Sequence, residues 1–257
     1  MILTDTHSHI YLPEFDNDRD EVVARALAAG VSKMIMPNID RKSFPEMMKA
    51  ADRYPGICIP MIGLHPTSVG KEYQEELDFV IREAESKKYV AIGEVGIDLY
   101  WDKTHIEEQK KAFRQQVELA IRLDLPVVIH ARESFEVIFS ILTDYRQSGI
   151  RGVFHAFTGS ADDLRLAISM GFMIGVGGIV TFKNSGLAGV ITGAGIENIV
   201  LETDSPYLAP APHRGRRNES SYLTLINQKV ASLFGLTPDE AARVTTENSG
   251  RIFDRIR

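Results

Sequence analysis

The sequence predicts an α/β protein, a distorted TIM (β/α)8 barrel forming one domain over residues 1–257 and finished by two C-terminal helices. Three observations carry this. Short apolar runs alternate with amphipathic stretches along the whole chain, the pattern of repeated βα units around a parallel sheet. Eight such runs occur in 257 residues, a length that suits eight units. Histidines and carboxylates then collect at the ends of these runs, where the βα loops of a parallel barrel gather. An open doubly wound sheet shares the local pattern and stays in play on this reading.

The predicted strands are Ile2 to His7, Lys33 to Pro37, Ile57 to Ile62, Val90 to Gly93, Val127 to His130, Gly152 to His155, Met173 to Val176 and Ile199 to Glu202. Between them, Leu77, Val80, Ile81 and Ala84, and then Phe113, Val117, Ala120 and Ile121, fall at helical spacing and predict helices with one apolar face on the sheet. The seventh unit is the weakest. Gly175, Gly177, Gly178 and Gly186 interrupt it, and its helix, around Leu187 to Ile191, is short, which is where the barrel is expected to distort. From Pro206 to Asn218, Pro206, Pro210, Pro212 and Gly215 predict a long ordered loop. Helices over Tyr222 to Phe234 and Pro238 to Thr246 follow, the latter capped by Thr237.

Composition narrows the class. With 44% hydrophobic and 25% charged residues the chain can bury a full core, and no apolar run reaches the length of a membrane span. The chain opens on a strand-like segment instead of a signal-peptide pattern, so a cytoplasmic location is expected. Cys58 sits alone in an apolar run, where a buried thiol is expected and no disulfide is available. A net charge of −6 argues against coating nucleic acid by bulk electrostatics, yet leaves room for an acidic pocket that holds cations.

The chemistry starts at Asp5-Thr6-His7-Ser8-His9. Side chains at i and i+2 of a strand share a face, so His7 and His9 project together as two imidazoles fit for a divalent ion. Strand four ends at Glu94, strand five at His130, strand six at His155 and strand eight at Asp204. Of seven histidines, five (His7, His9, His65, His130 and His155) stand at predicted strand ends. Any one of these has a structural explanation as a hydrogen-bonded or solvated side chain; together on one rim they predict a metal site. His105 opens a predicted helix and reads as structural. His213 begins His213-Arg214-Gly215-Arg216-Arg217, a basic loop that is either a solvated face or, with Arg132, a phosphate clamp.

The motifs Thr4-Asp5-Thr6-His7-Ser8-His9, Gly63-Leu64-His65-Pro66, Ile92-Gly93-Glu94-Val95-Gly96-Ile97-Asp98, His130-Ala131-Arg132, Phe154-His155-Ala156-Phe157-Thr158-Gly159 and Leu201-Glu202-Thr203-Asp204-Ser205-Pro206-Tyr207-Leu208 closely resemble those of the TatD family of metal-dependent deoxyribonucleases. The resemblance runs in order from residue 4 to about residue 222. It implies a TIM-barrel hydrolase with two, sometimes three, divalent ions (magnesium, manganese or zinc), acting as a 3′ to 5′ exonuclease on DNA, with single-stranded 3′ ends as substrate and no obligate protein partner. Carried over by position, His7 and His9 would bind the first metal, Glu94 would bridge, and His130 and His155 would bind the second. Asp204 would bind the first metal and take the proton of the attacking water. His65, Arg132 and Arg214 would lie near the substrate phosphate. Ser134, Ala156 and Ser220 depart from the family's usual residues without touching a ligand.

Other functions share parts of this pattern. An amidohydrolase-type enzyme acting on a small ester, lactone or phosphoester uses similar strand-end histidines and aspartate, commonly with a bridging lysine carbamate where Glu94 stands here. A structural metal is disfavoured by the lack of a four-cysteine set, and a DNA scaffold by the lack of a basic face. Glu202 is read as support for a ligand histidine, its direction undetermined by strand parity alone.

Overall fold

The computed structural model describes residues 1–86 and 89–256. Eight parallel strands follow one another in chain order: β1 (Leu3–Asp5), β2 (Val31–Met36), β3 (Cys58–Pro60), β4 (Ile92–Asp98), β5 (Val127–Arg132), β6 (Gly152–Phe154), β7 (Phe172–Val176) and β8 (Ile199–Leu201). Ladders join β1 to β3 and β4 to β8. Two seams remain, and backbone hydrogen bonds close both. At one, Gly93 N donates to Ile62 O at 2.8 Å; at the other, Thr6 N donates to Leu201 O at 3.0 Å and His9 N to Ser205 O at 2.8 Å. A closed ring of this kind excludes the open-sheet alternative.

Among the described residues, seven α-helices return the chain between strands: α1 (Arg19–Ala28), α2 (Phe44–Arg53), α3 (Tyr73–Ala84), α4 (Ile106–Leu123), α5 (Phe135–Thr143), α6 (Ala161–Ser169) and the five-residue α7 (Leu187–Ile191). Leu77, Val80 and Ala84 of α3, and Phe113, Val117 and Ala120 of α4, are buried as their spacing predicts. Two more, α8 (Leu223–Phe234) and α9 (Pro238–Ile252), end the chain, with Thr237 and Glu240 forming a reciprocal cap on α9.

Inside the ring, Ile35, Met61, Ala91, Val128, Val153, Met173 and Val200 form an apolar layer, and Ile252, Phe253 and Ile256 from the end of α9 and beyond pack onto it as a floor. The residues two positions further along three of these strands share the inward face. They are His130 above Val128, His155 above Val153 and Glu202 above Val200. An apolar plug below thus turns into a polar layer at the strands' C-terminal mouth.

Two elements run longer than their sequence suggests. Strand β4 continues past Gly93 to Asp98, so Glu94 stands within the strand instead of at its end. The continuation depends on Gly96, at φ +146°, where a Cβ would lie 2.0 Å from His130 O. Helix α9 runs on to Ile252 because its late polar residues face inward and are satisfied there. Ser249 Oγ donates to Thr245 O, and Asn248 Nδ2 donates to Ile196 O and Ile199 O at 2.8 and 2.7 Å.

The loop from Pro206 to Asn218 is ordered, as its prolines imply. Arg217 makes a two-pronged ion pair with Asp18, and Asn218 Nδ2 donates to Thr203 O and Tyr207 O. Arg217 is therefore committed to bracing this loop, which removes it from the phosphate clamp considered above.

Two outcomes follow. Phe253→Ala opens the barrel floor and is expected to cost about 3–5 kcal/mol, read as a lowered denaturant midpoint. The Cys58 thiol, pushed up to about 12 by burial, is expected to ignore a thiol reagent at pH 8 until the protein is unfolded.

Candidate metal centre

The mouth of the barrel opens into a cavity of about 570 Å³ whose lining includes His9, His65, Glu94, Asp98, His130, Arg132, His155 and Asp204. Every strand-end histidine and both carboxylates singled out in the sequence converge here. His7 lies beneath, fully buried.

Glu94 is the hub. Its Oε2 lies 3.2 Å from His7 Nε2 and 3.8 Å from His9 Nε2, while its Oε1 lies 3.0 Å from His130 Nδ1 and 3.4 Å from both His65 Nε2 and His155 Nε2. Asp204 Oδ1 sits 3.5 Å from His9 Nε2 and 3.8 Å from His7 Nε2, and the two imidazole nitrogens are 3.3 Å apart. These donor-to-donor distances of 3.2–3.8 Å are those of neighbouring ligands on one small divalent cation. Around Oε1 a second set gathers, with His65, Glu94 and His130 donors all within 4.8 Å of one another. These histidine and carboxylate groups have the donor chemistry to hold a divalent metal ion.

Charge supports the same conclusion. Glu94, Asp98, Glu202 and Asp204 have, among the described residues, only histidines as ion-pair partners. Buried carboxylates need compensating positive charge. Burial pushes the Glu94 carboxyl up, but His65, His155 and His7 outweigh it and hold the group well below its usual range. Burial pulls His155 down, yet Glu202, Glu94 and Asp204 push it up to about 10. His7 has no neighbouring carboxylate strong enough to offset its burial and is lowered. The cluster demands cations, whether protons on imidazole or metal ions.

An outer ring of groups aims the histidines. His9 Nδ1 meets the Tyr11 hydroxyl at 3.1 Å, and that hydroxyl donates to Pro37 O at 2.6 Å. Glu202 Oε1 stands 3.0 Å from His155 Nδ1 and also accepts from Ala156 N. Gly175 makes room for that carboxylate, since a Cβ there would lie 2.5 Å from Glu202 Oε2. Asp98 Oδ2 lies 2.9 Å from His130 Nε2. Such partners fix ring orientation and tautomer, leaving the other nitrogen directed at a cation. Among the described residues, His7 Nδ1 is buried without a hydrogen-bond partner, and the Glu202–His155 contact is an ion pair whose angles fall short of a hydrogen bond.

Asp204 reaches the site from an unusual backbone. Its φ is +54°, sparsely populated for a non-glycine residue, and it is held there by Asp204 N donating to His7 O and by Asp204 O accepting from Tyr207 N. Asp5 anchors the neighbouring turn, accepting from Thr203 N at 2.9 Å and Thr203 Oγ1 at 2.6 Å.

A TatD related DNase model matches residues 4–254. The chain belongs to that family. It is 37% identical over 253 residues to the uncharacterized metal-dependent hydrolase YabD of Bacillus subtilis, covering 98% of this chain and 99% of that one. It is 32% identical over 249 residues to the 3′-5′ ssDNA/RNA exonuclease TatD of Salmonella typhimurium, covering 95% of each. The crystal structure of YjjV, a TatD homologue from Escherichia coli, superposes with a TM-score of 0.92 at 29% identity over 98% of both chains. The protein is thus a TatD-family metal-dependent hydrolase with a TIM-barrel fold, and no helix among the described residues is long and apolar enough to cross a membrane.

Within this TatD-family site the remaining sequence candidates divide. His65 and Arg132 line the cavity, and Arg132 has no carboxylate partner among the described residues. Arg214 stands outside that lining, its guanidinium over the Phe182 ring at 4.7 Å. His213 stacks on Tyr222, and His105 sits at the start of α4 near Glu108; neither lines the main cavity. Sequence reasoning missed Tyr11 and Asp98 as orienting groups. Asp98 was findable by parity, at i+4 from Glu94 on one strand, whereas Tyr11 lies in a turn beyond β1 where parity gives no signal.

Were His155 to hold a metal ion, uptake would displace a proton held up to about 10, and affinity would rise with pH, by about tenfold per unit for each proton displaced. Calorimetry in buffers of differing ionisation heat checks this through proton release. Glu202→Gln is expected to weaken metal binding about 10- to 100-fold without unfolding the barrel.

Proposed function

We propose that this protein is a 3′ to 5′ exonuclease that hydrolyses phosphodiester bonds at single-stranded DNA ends with two divalent ions, magnesium, manganese or zinc. The observation that carries the reading is Glu94, whose two oxygens face separate donor sets 3.0–3.8 Å away, in a cavity with an unpaired arginine at its mouth. His7, His9, Glu94 and Asp204 would hold one ion, and Glu94, His130 and His155 the other, with His65 beside the second. Such a pair of ions neutralises the phosphate and acidifies the nucleophilic water.

The protein's own groups supply the rest. Asp204 is the general base. Burial raises its carboxyl, but His9, His155 and His7 outweigh that and hold it below the usual carboxylate range, so it is ionised and able to accept the water's proton at neutral pH. Arg132 offers a planar guanidinium to the non-bridging oxygens of the phosphodiester. Asp98 and Glu202 keep His130 and His155 aimed while charge shifts during the reaction. The Salmonella relative's name, with ssDNA and RNA in it, supports a single-stranded nucleic acid substrate. Arg132 favours an anionic phosphodiester over the neutral lactone or ester of the amidohydrolase-type alternative.

With a 3′-labelled oligonucleotide and metal-stripped protein, stepwise shortening should return on adding Mg²⁺, Mn²⁺ or Zn²⁺. It should fall at least a thousandfold in Glu94→Gln and His7→Ala, whose circular dichroism stays native. Full activity in either variant, or turnover of lactones alone, would overturn the assignment.

A further inference from the structure

The cavity mouth carries aromatic surface that the chemistry at its base does not use. Trp101, the only tryptophan in the chain, is 67% exposed, Tyr100 50% and Tyr207 48%. Exposed aromatics of this size gathered at one opening mark a binding surface, since each forgoes burial in the core. Trp101 follows β4 and Tyr207 follows β8, and strands four and eight of an eight-stranded ring lie on opposite sides. Both rings line the cavity.

Each ring is also fixed to the metal centre by backbone. Asp98 Oδ1 accepts from Tyr100 N at 2.9 Å and Trp101 N at 3.1 Å, while its Oδ2 lies 2.9 Å from His130 Nε2. One carboxylate therefore sets the aromatic turn and a candidate ligand together. On the other side, Tyr207 N donates to Asp204 O at 2.8 Å, and its ring meets His9 edge-on at 6.0 Å between centroids. Arg132 lines the same cavity, its guanidinium 4.0 Å from the Tyr100 ring centroid and 5.2 Å from that of Trp101.

We infer that Trp101 and Tyr207 form a two-sided stacking site for an unpaired nucleobase next to the phosphate being cleaved, with Arg132 on that phosphate. This rests on the nuclease reading and names the substrate feature that the same site selects. A nucleotide presents an anion and a flat π-face in fixed relation, and the mouth presents a guanidinium beside an aromatic ring in the same relation. Stacking on ring faces reads no particular base, so the site tolerates any sequence. A base at a duplex end is paired and stacked on its neighbour, and must give up both to enter a two-sided site. The site thereby selects single strands by requiring a free base, where a purely electrostatic groove would accept either form.

The lone tryptophan makes this directly measurable. The metal-loaded enzyme is titrated with an oligothymidylate whose last three linkages are phosphorothioates, and with an equally long strand whose 3′-terminal residues are abasic, following tryptophan emission. Saturable quenching by the first, with affinity at least tenfold weaker for the second, is expected. In cleavage, Trp101→Ala should raise KM for oligothymidylate about ten- to a hundredfold with kcat within about threefold, while Trp101→Phe retains most of the affinity. Equal use of base-bearing and abasic ends by the unmutated enzyme, or an unchanged KM in Trp101→Ala, overturns the stacking site and leaves the nuclease reading standing. Quenching by oligothymidylate in a protein that cleaves no nucleic acid overturns the nuclease reading and leaves the stacking site. Turnover of an aryl ester with quenching, and no response to oligothymidylate, overturns both.

Discussion

Four buried or nearly buried carboxylates, Glu94, Asp98, Glu202 and Asp204, crowd one end of a barrel with only imidazoles to balance them. That imbalance governs the upper half of the molecule. An uncompensated carboxylate in a low-dielectric interior is costly, and a lysine or arginine in the same place would satisfy the charge permanently and exclude a cation. Imidazole compensates conditionally, giving up its proton when a metal arrives. Tyr11, Asp98 and Glu202 hold the rings so that this exchange costs little reorganisation.

Holding such a cluster together requires a rigid frame, and the frame is the closed ring. His7 and His9 come from just beyond the first strand and Asp204 from just beyond the last, so they meet only because β1 and β8 are joined. The joint is dense: Thr6 and His9 donate across it from one side, Asp204 from the other, and Asp5 grips Thr203. The ring's apolar interior then serves as foundation. Val128, Val153 and Val200 set the facing of His130, His155 and Glu202 two residues on, and Phe253 seals the layer from below.

Much of this was legible in the sequence because barrels repeat. Eight apolar runs announced eight strands, and the clustering of scarce histidines at their ends announced a shared rim. What escaped did so for physical reasons. Strand β4 looked short because glycine-rich sequence signals a turn, yet Gly96 is there to let Asp98's strand pass close to His130 O. The helix predicted to end at Thr246 runs on to Ile252, because Asn248 and Ser249, polar in the sequence, each find an internal carbonyl. Arg217 looked free for a phosphate until the fold brought Asp18 to it. Tyr100 and Trp101 lie in a loop with no periodicity to distinguish them, and only three-dimensional proximity to Arg132 gave them meaning.

The floor of the barrel bears on how the protein is made. His7 and His9 are synthesised well before Asp204, the carboxylate that joins Glu94 beside them, and before Phe253, which seals the apolar layer beneath. Contacts spanning nearly the whole chain form late, since loop-closure entropy opposes them until most of the core exists. Translation itself therefore acts as a timer. A chain arrested before Asp204 is made carries the histidine pair without one of the carboxylates that balance it.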